Sequence, residues 1–228
     1  MTSASENARH VAEQPTVAPV RPLLRGALHG FAFVAALVVG VLLIVFSPAP
    51  RVLPAAVFAA TAALMLGTST LYHRVTWSPS ARLWMRRADH AGILLLIAGT
   101  YTPVALISLS GAWRTTVLAV VWAGVLAAAI SKFCWVGAPR WVSAIVGVAL
   151  GWIGVITLPQ LAHREGIAPV ILLAAGGLAY TAGAVVYALR RPDPLPRVFG
   201  YHELFHAMTI VALACQYTAI AFFVVRVA

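Results

Sequence analysis

Seven stretches of about twenty residues, each nearly free of charge, dictate what this chain can become. They run Ala27–Phe46, Val52–Tyr72, Ala88–Leu109, Trp113–Ser131, Trp141–Leu161, Ala168–Leu189 and His202–Val225. A helix rises about 1.5 Å per residue and the hydrocarbon core of a bilayer is about 30 Å thick, so each stretch matches one crossing. Helix is the expected form, because backbone polar groups in lipid must be satisfied within the segment itself. The breaks carry turn residues: Ser47-Pro48-Ala49-Pro50, Ser78-Pro79-Ser80, Ser110-Gly111, Gly137-Ala138-Pro139 and Arg191-Pro192-Asp193-Pro194-Leu195-Pro196. Of the 228 residues 61% are hydrophobic and 10% charged, where a soluble domain carries about a quarter charged residues. A soluble enzyme or soluble regulator is excluded. The expected class is an all-α membrane protein, a seven-transmembrane helix bundle.

Sixteen Lys and Arg against six Asp and Glu would suggest nucleic acid in a soluble chain, but here their placement answers a different question. Arg9, Arg21, Arg25, Arg74, Arg82, Arg86, Arg87, Lys132, Arg140, Arg190, Arg191 and Arg197 fall on the N-terminal side of the seven crossings. Arg51, Arg114, Arg164 and Arg226 fall on the other. Basic residues are retained in the cytoplasm, so this twelve-to-four division puts the N-terminus in the cytoplasm and the C-terminus outside. Topology therefore accounts for the charge, with no nucleic-acid partner. Residues 1–24, with Glu6, Glu13 and several prolines and small polar residues, read as a flexible cytoplasmic tail and not a cleaved signal peptide; residues 25–228 form the membrane domain. Cys134 and Cys215 lie in apolar runs far apart and read as packing residues. No tandem repeat is visible, and Gly147, Gly151, Gly154, Gly176 and Gly177 read as points of close helix approach.

Ionisable residues inside a bilayer are costly and mark cavities or partners. Four of the six acidic residues and two of the seven histidines lie in the tail or turns, and His29 opens the first helix. His73, Asp89, His90, His202, Glu203 and His206 remain at helix positions. The second helix ends on the cytoplasmic side where the third and seventh begin, so all six belong to one level near the cytoplasmic surface.

The strongest local pattern is His202-Glu203-Leu204-Phe205-His206. Histidines at i and i+4 share a helix face and can bind one zinc ion, and the string satisfies the H-E-x-x-H pattern in which Glu is a general base. An intramembrane protease of that design would need a later acidic ligand, and no Asp, Glu or His follows His206. The third ligand must lie upstream, with His73, Asp89 and His90 as candidates. Ser69, one turn deeper than His73, would hydrogen-bond a water or substrate there, or simply bond back to its own helix. Asp89 and His90 sit about 100° apart in the expected first turn of the third helix and cannot both face one centre. An aspartate in a first turn is also favoured by the helix dipole alone. Gly99-Thr100-Tyr101-Thr102-Pro103 and Leu158-Pro159-Gln160 are expected to kink or end helices near the outer face, remote from this chemistry.

Together these segments resemble the progestin and adipoQ receptor family, and most closely its bacterial hemolysin III branch. The likeness rests on Ser69-Thr70-Leu71-Tyr72-His73, on Ala88-Asp89-His90-Ala91-Gly92-Ile93 continuing to Ala98-Gly99-Thr100-Tyr101-Thr102-Pro103, and on His202-Glu203-Leu204-Phe205-His206. It spans about 200 of the 228 residues. The resemblance implies that His73, His202 and His206 bind one zinc ion, with Asp89 contacting a water on it and Ser69 assisting in the same cavity. Adiponectin receptors, which share the signature, are associated with ceramide hydrolysis, and the wider superfamily includes alkaline ceramidases. The bacterial branch is named for haemolysis and linked to membrane-lipid homeostasis. Adiponectin recognition itself has no counterpart in so short a tail.

The leading expectation is a zinc-dependent hydrolase of a membrane-lipid amide or ester, in the bacterial inner membrane, with Asp89 as the base and Glu203 as the alternative. Two readings stand beside it: a non-catalytic receptor or regulator with a structural zinc, and a pore-forming hemolysin. Few charges line the helices away from the cytoplasmic cluster, so no ion pathway is visible through one chain.

Overall fold

The computed structural model describes residues 22–134 and 140–227. The tail through Arg21, with Glu6, Arg9, His10 and Glu13, lies outside the described residues, as do the Gly137–Pro139 turn and the side chains of Lys132 and Arg140. Among the described residues there is no strand, only an isolated bridge between Leu195 and Phe199. Among the described residues seven helices are long and apolar enough to cross a bilayer. Their large lipid-facing side chains, such as Phe31, Leu53 and Ile171, stay exposed, as they must where the solvent is hydrocarbon.

The first span is the helix Ala27–Val45, and the second, Val52–Arg74, follows a 3-10 turn at Ala49–Arg51. The third runs Pro79–Pro103, then widens into a π-helical turn over Val104–Ser108. Proline at 103 cannot donate to the carbonyl one turn back, and the helix changes pitch there instead of ending. The fourth is Gly111–Cys134. The fifth is composite: Arg140–Trp152, a 3-10 turn Ile153–Thr157 and a short helix Leu158–Glu165 with proline near its start. The sixth is Ile167–Leu189, and the seventh is Tyr201–Thr218 continued by a π-helical turn, Ala219–Val225.

Six of the seven spans agree with the apolar runs to within a few residues, but the third does not. It begins at Pro79, nine residues before the expected Ala88, because Ser78 caps it: the Ser78 hydroxyl accepts from the Ala81 N–H at 3.4 Å, and proline is preorganised for the first helical position. The helix thus extends through the basic segment Arg82–Arg87. Asp89 and His90 then lie three turns inside the helix, and the first-turn dipole account of Asp89 no longer applies.

The third span is the axis of the bundle, with 72% of its most apolar window buried against 17% for the first and 6% for the fifth. One cluster packs Phe58, Met65 and Leu66 of the second span against Leu96 and Leu213. Another packs Leu94, Ala98 and Tyr101 against Val117, Val121 and Val125 of the fourth. Polar side chains within the spans are mostly satisfied locally: Thr61, Thr68, Thr70, Thr102 and Thr209 each donate to a carbonyl one turn back. The bundle is therefore that of a multi-pass integral membrane protein. Both cysteines are free; Cys134 is exposed on the fourth span, outside the packing role expected for it, and Cys215 is half-buried.

Candidate metal centre

His73 stands in the last turn of the second span, and His202 and His206 occupy successive turns at the start of the seventh. His73 and His206 are buried and His202 is half-buried. One ligand atom from each of the three lies within 4.8 Å of the others. The Nε2 atoms of His73 and His202 are 3.1 Å apart, so they share either a proton or a cation. A tetrahedral ion with bonds of about 2.0–2.1 Å requires nitrogens about 3.3 Å apart. That pair already stands near this spacing, and the third nitrogen lies within 4.8 Å. His206 Nδ1 is buried without a hydrogen-bond partner among the described residues. Three imidazole nitrogens of this spacing are a donor set suited to a divalent transition metal.

Of the three upstream candidates, His73 is the one in this cluster. Asp89 stands just outside it, with Oδ2 3.9 Å from His73 Nε2, and is buried. Ser69, also buried, lies next to the Asp89 carboxylate. His90 lines the adjoining cavity but is not part of the cluster. Glu203, the other candidate base, faces away: Oε1 is 2.7 Å from Arg25 Nε, and Oε2 accepts from the Gly200 N–H at 3.0 Å.

Three neighbours of the cluster were not visible in the sequence as members. His29 of the first span stacks on His206, ring centroids 3.8 Å apart and planes within 7°. Both of its ring nitrogens are buried and meet no hydrogen-bond partner among the described residues. Arg25 reaches Glu203 from the segment before that span. Asp193 caps the seventh helix, its Oδ1 accepting from the Tyr201 N–H at 2.8 Å. For His29 a signal existed, since the first span starts on the same side as the third and seventh. The other two contacts bridge elements whose proximity no local pattern reports.

From the cluster a cavity of about 250 Å³ extends into the bundle between the third, fifth, sixth and seventh spans. His29, Ser69, Asp89, His202 and His206 line one end, and Thr100, Tyr101, Leu158 and Gln216 line it farther along. The Gly99–Pro103 and Leu158–Gln160 segments, expected to be remote from the site, therefore contribute to the wall of the same cavity. Tyr101 also ties the third span to the fifth, its hydroxyl donating to the Gly151 carbonyl at 2.6 Å and the Leu150 carbonyl at 3.1 Å.

The glycines divide into two groups. A Cβ at Gly154 would lie 2.8 Å from the Tyr101 hydroxyl, and one at Gly176 would lie 3.1 Å from the Ala212 carbonyl, so these two do serve close approach. At Gly147, Gly151 and Gly177 a Cβ would meet nothing within 4 Å, and all three line the cavity. Their expected role in helix packing is corrected: the missing side chains leave open space.

Comparison with known proteins places this architecture among relatives. The family model described as haemolysin-III related matches residues 18–217. A hemolysin-3 homolog of Bacillus subtilis (strain 168) is 28% identical over 171 residues, covering 75% of this chain and 77% of that protein. The hemolysin-3 of Bacillus cereus is 31% identical over 160 residues, covering 70% of each.

Proposed function

The chain belongs to the haemolysin-III-related family, and on that footing we propose that it is a zinc-dependent hydrolase of a membrane-lipid amide or ester, working at the cytoplasmic side of a bacterial plasma membrane. The observation that carries the reading is the position of the histidine cluster and Asp89 at one end of a largely apolar cavity. Such a site juxtaposes a polar reaction centre with room for a hydrocarbon chain. The two bacterial relatives support the choice of membrane.

In this reading His73, His202 and His206 hold the ion. Zinc would supply Lewis acidity, polarising a carbonyl and lowering the pKa of a water to about 7. Asp89 takes the proton of the attacking water on a carboxylate oxygen and returns it to the departing amine or alcohol. Ser69 orients that carboxylate. The acyl chain lies in the cavity, where Gly147, Gly151 and Gly177 leave the bore open. Glu203, held by Arg25 and Gly200, takes no part in proton transfer.

A second reading has one observation in its favour. Asp89 Oδ2, 3.9 Å from His73 Nε2, is near enough to swing in as a fourth protein ligand, and four such ligands characterise a structural site. Elemental analysis of the detergent-purified protein tests the centre: about one zinc per chain is expected in the wild type, and loss in both His73→Ala and His206→Ala. A folded wild type without zinc would end the hydrolase reading. Asp89→Asn then separates the two roles, because a base is expected to abolish lipid-amide hydrolysis with zinc retained, and a ligand to release the metal.

A further inference from the structure

We infer that Arg25 is a positioning residue for the histidine centre, acting through Glu203; this rests on the metal-binding reading above. Glu203 lies between the two histidines of the seventh span, its side chain wholly buried. A buried carboxylate one residue from His202 would be drawn to any cation held by the cluster. It is instead taken up on both oxygens, by the Arg25 guanidinium at 2.7 Å and the Gly200 N–H at 3.0 Å. The Arg25 Nε–H is not aimed along the contact, so the pair is held by charge and burial and not by an aligned hydrogen bond.

The segment bearing Arg25 is fastened where this pairing needs it. The Leu23 and Leu24 N–H groups donate to the Arg197 and Val198 carbonyls at 3.0 and 3.2 Å, tying it to the connection that leads into the seventh span. Gly26 then turns the chain with φ of 76°, and a Cβ there would come within 2.5 Å of His73 Cβ. Only glycine meets both conditions. Three residues further, His29 lies flat on His206. One short stretch thus touches His73, Glu203 and His206, and its single cation fixes the helical turn that presents the two seventh-span ligands. In the H-E-x-x-H pattern the glutamate ordinarily works as base. Here the arginine removes it from that duty and leaves the cluster three imidazoles and an open side toward Asp89.

The test measures zinc affinity by competition with a chromophoric chelator, and visible spectra after cobalt substitution, on the full chain in detergent. The variants are Arg25→Met, Arg25→Lys and the double Arg25→Met/Glu203→Gln. Loss of a group that orients metal ligands typically costs 10–100-fold in affinity, so Arg25→Met is expected to weaken zinc binding by about that factor. Its cobalt spectrum should change as Glu203 enters the coordination sphere. Arg25→Lys should recover part of the loss. The double variant, which strands no charge and should fold even where Arg25→Met does not, should return both affinity and spectrum to near wild type. A wild type that binds no zinc would overturn the metal reading and this inference together. Zinc bound equally well by wild type and Arg25→Met, with unchanged cobalt spectra, would overturn this inference alone. So would a double variant as impaired as the single.

Discussion

The two ends of the bundle handle their polar groups in opposite ways. At the end remote from the histidines, Glu165 accepts from Ser108 at 2.9 Å and from Arg226 at 2.8 Å, and Gln160 bonds to Ser110 through both ends of its amide. Arg51 donates to the Val224 and Val225 carbonyls at 3.1 and 2.9 Å, meeting acceptors near the end of the seventh span. Each of these groups closes on another. At the histidine end, His206 Nδ1 and both nitrogens of His29 are buried without hydrogen-bond partners among the described residues, and two imidazole nitrogens face each other at 3.1 Å. Burying polar groups is costly at either end. Where such groups answer one another they lock helices, and where they lack a partner beside a cavity, as at His206 Nδ1 and His29, they could hold a ligand.

The largest effect that could break this comparison is loss of metal. His73→Ala and His206→Ala, each removing one of three nitrogens, should leave the purified protein essentially free of zinc, as elemental analysis would read directly. Retention of stoichiometric zinc by either variant would mean that the open valences belong to something else. Asp89→Asn comes next: removing a general base is expected to reduce lipid-amide hydrolysis by about 10²–10⁴-fold with zinc content unchanged. A third substitution, Gly147→Leu, places a side chain where a Cβ meets nothing within 4 Å. Helix propensity favours leucine over glycine by roughly 0.8 kcal/mol, so thermal stability should hold or rise. Hydrolysis of long-chain lipids should nevertheless fall by about tenfold, the size of effect that one misfitting group has in an apolar pocket. Equal rates on long and short acyl chains in this variant would remove the cavity from the mechanism.

How much of this was legible follows from the range of each signal. Apolar runs report crossings because a helix must satisfy its backbone within itself, and all seven spans could be read that way. The early start at Pro79 was equally local, since Ser78 followed by proline is a helix-start signal, but an apolar-run reading places the boundary where charge ends. The shared level of His73, Asp89, His202 and His206 followed from counting crossings. Their distances did not, and neither did the stack of His29 on His206, because 177 positions separate the two and only packing brings them together. The glycines were ambiguous for a different reason. A missing side chain looks the same in sequence whether a neighbouring backbone or empty space takes its place, and Gly176 and Gly147 are one of each.

The smallest expected effect sharpens the comparison from the end remote from the histidines. Glu165→Ala would leave the Ser108 hydroxyl, which is fully buried, without its acceptor, and free Arg226, whose side chain is 59% exposed. Water compensates the exposed guanidinium, so the ion pair itself contributes little. The stranded hydroxyl should dominate, at about 1–2 kcal/mol of stability, read as a modest fall in melting temperature in detergent. Zinc affinity should not change, since the network lies at the end of the bundle opposite the histidines and shares no side chain with them. A loss of zinc in this variant would mean that the two ends are coupled through the third and seventh spans, whose π-helical turns lie beside this network. The remote end would then be part of the working site and not merely its frame.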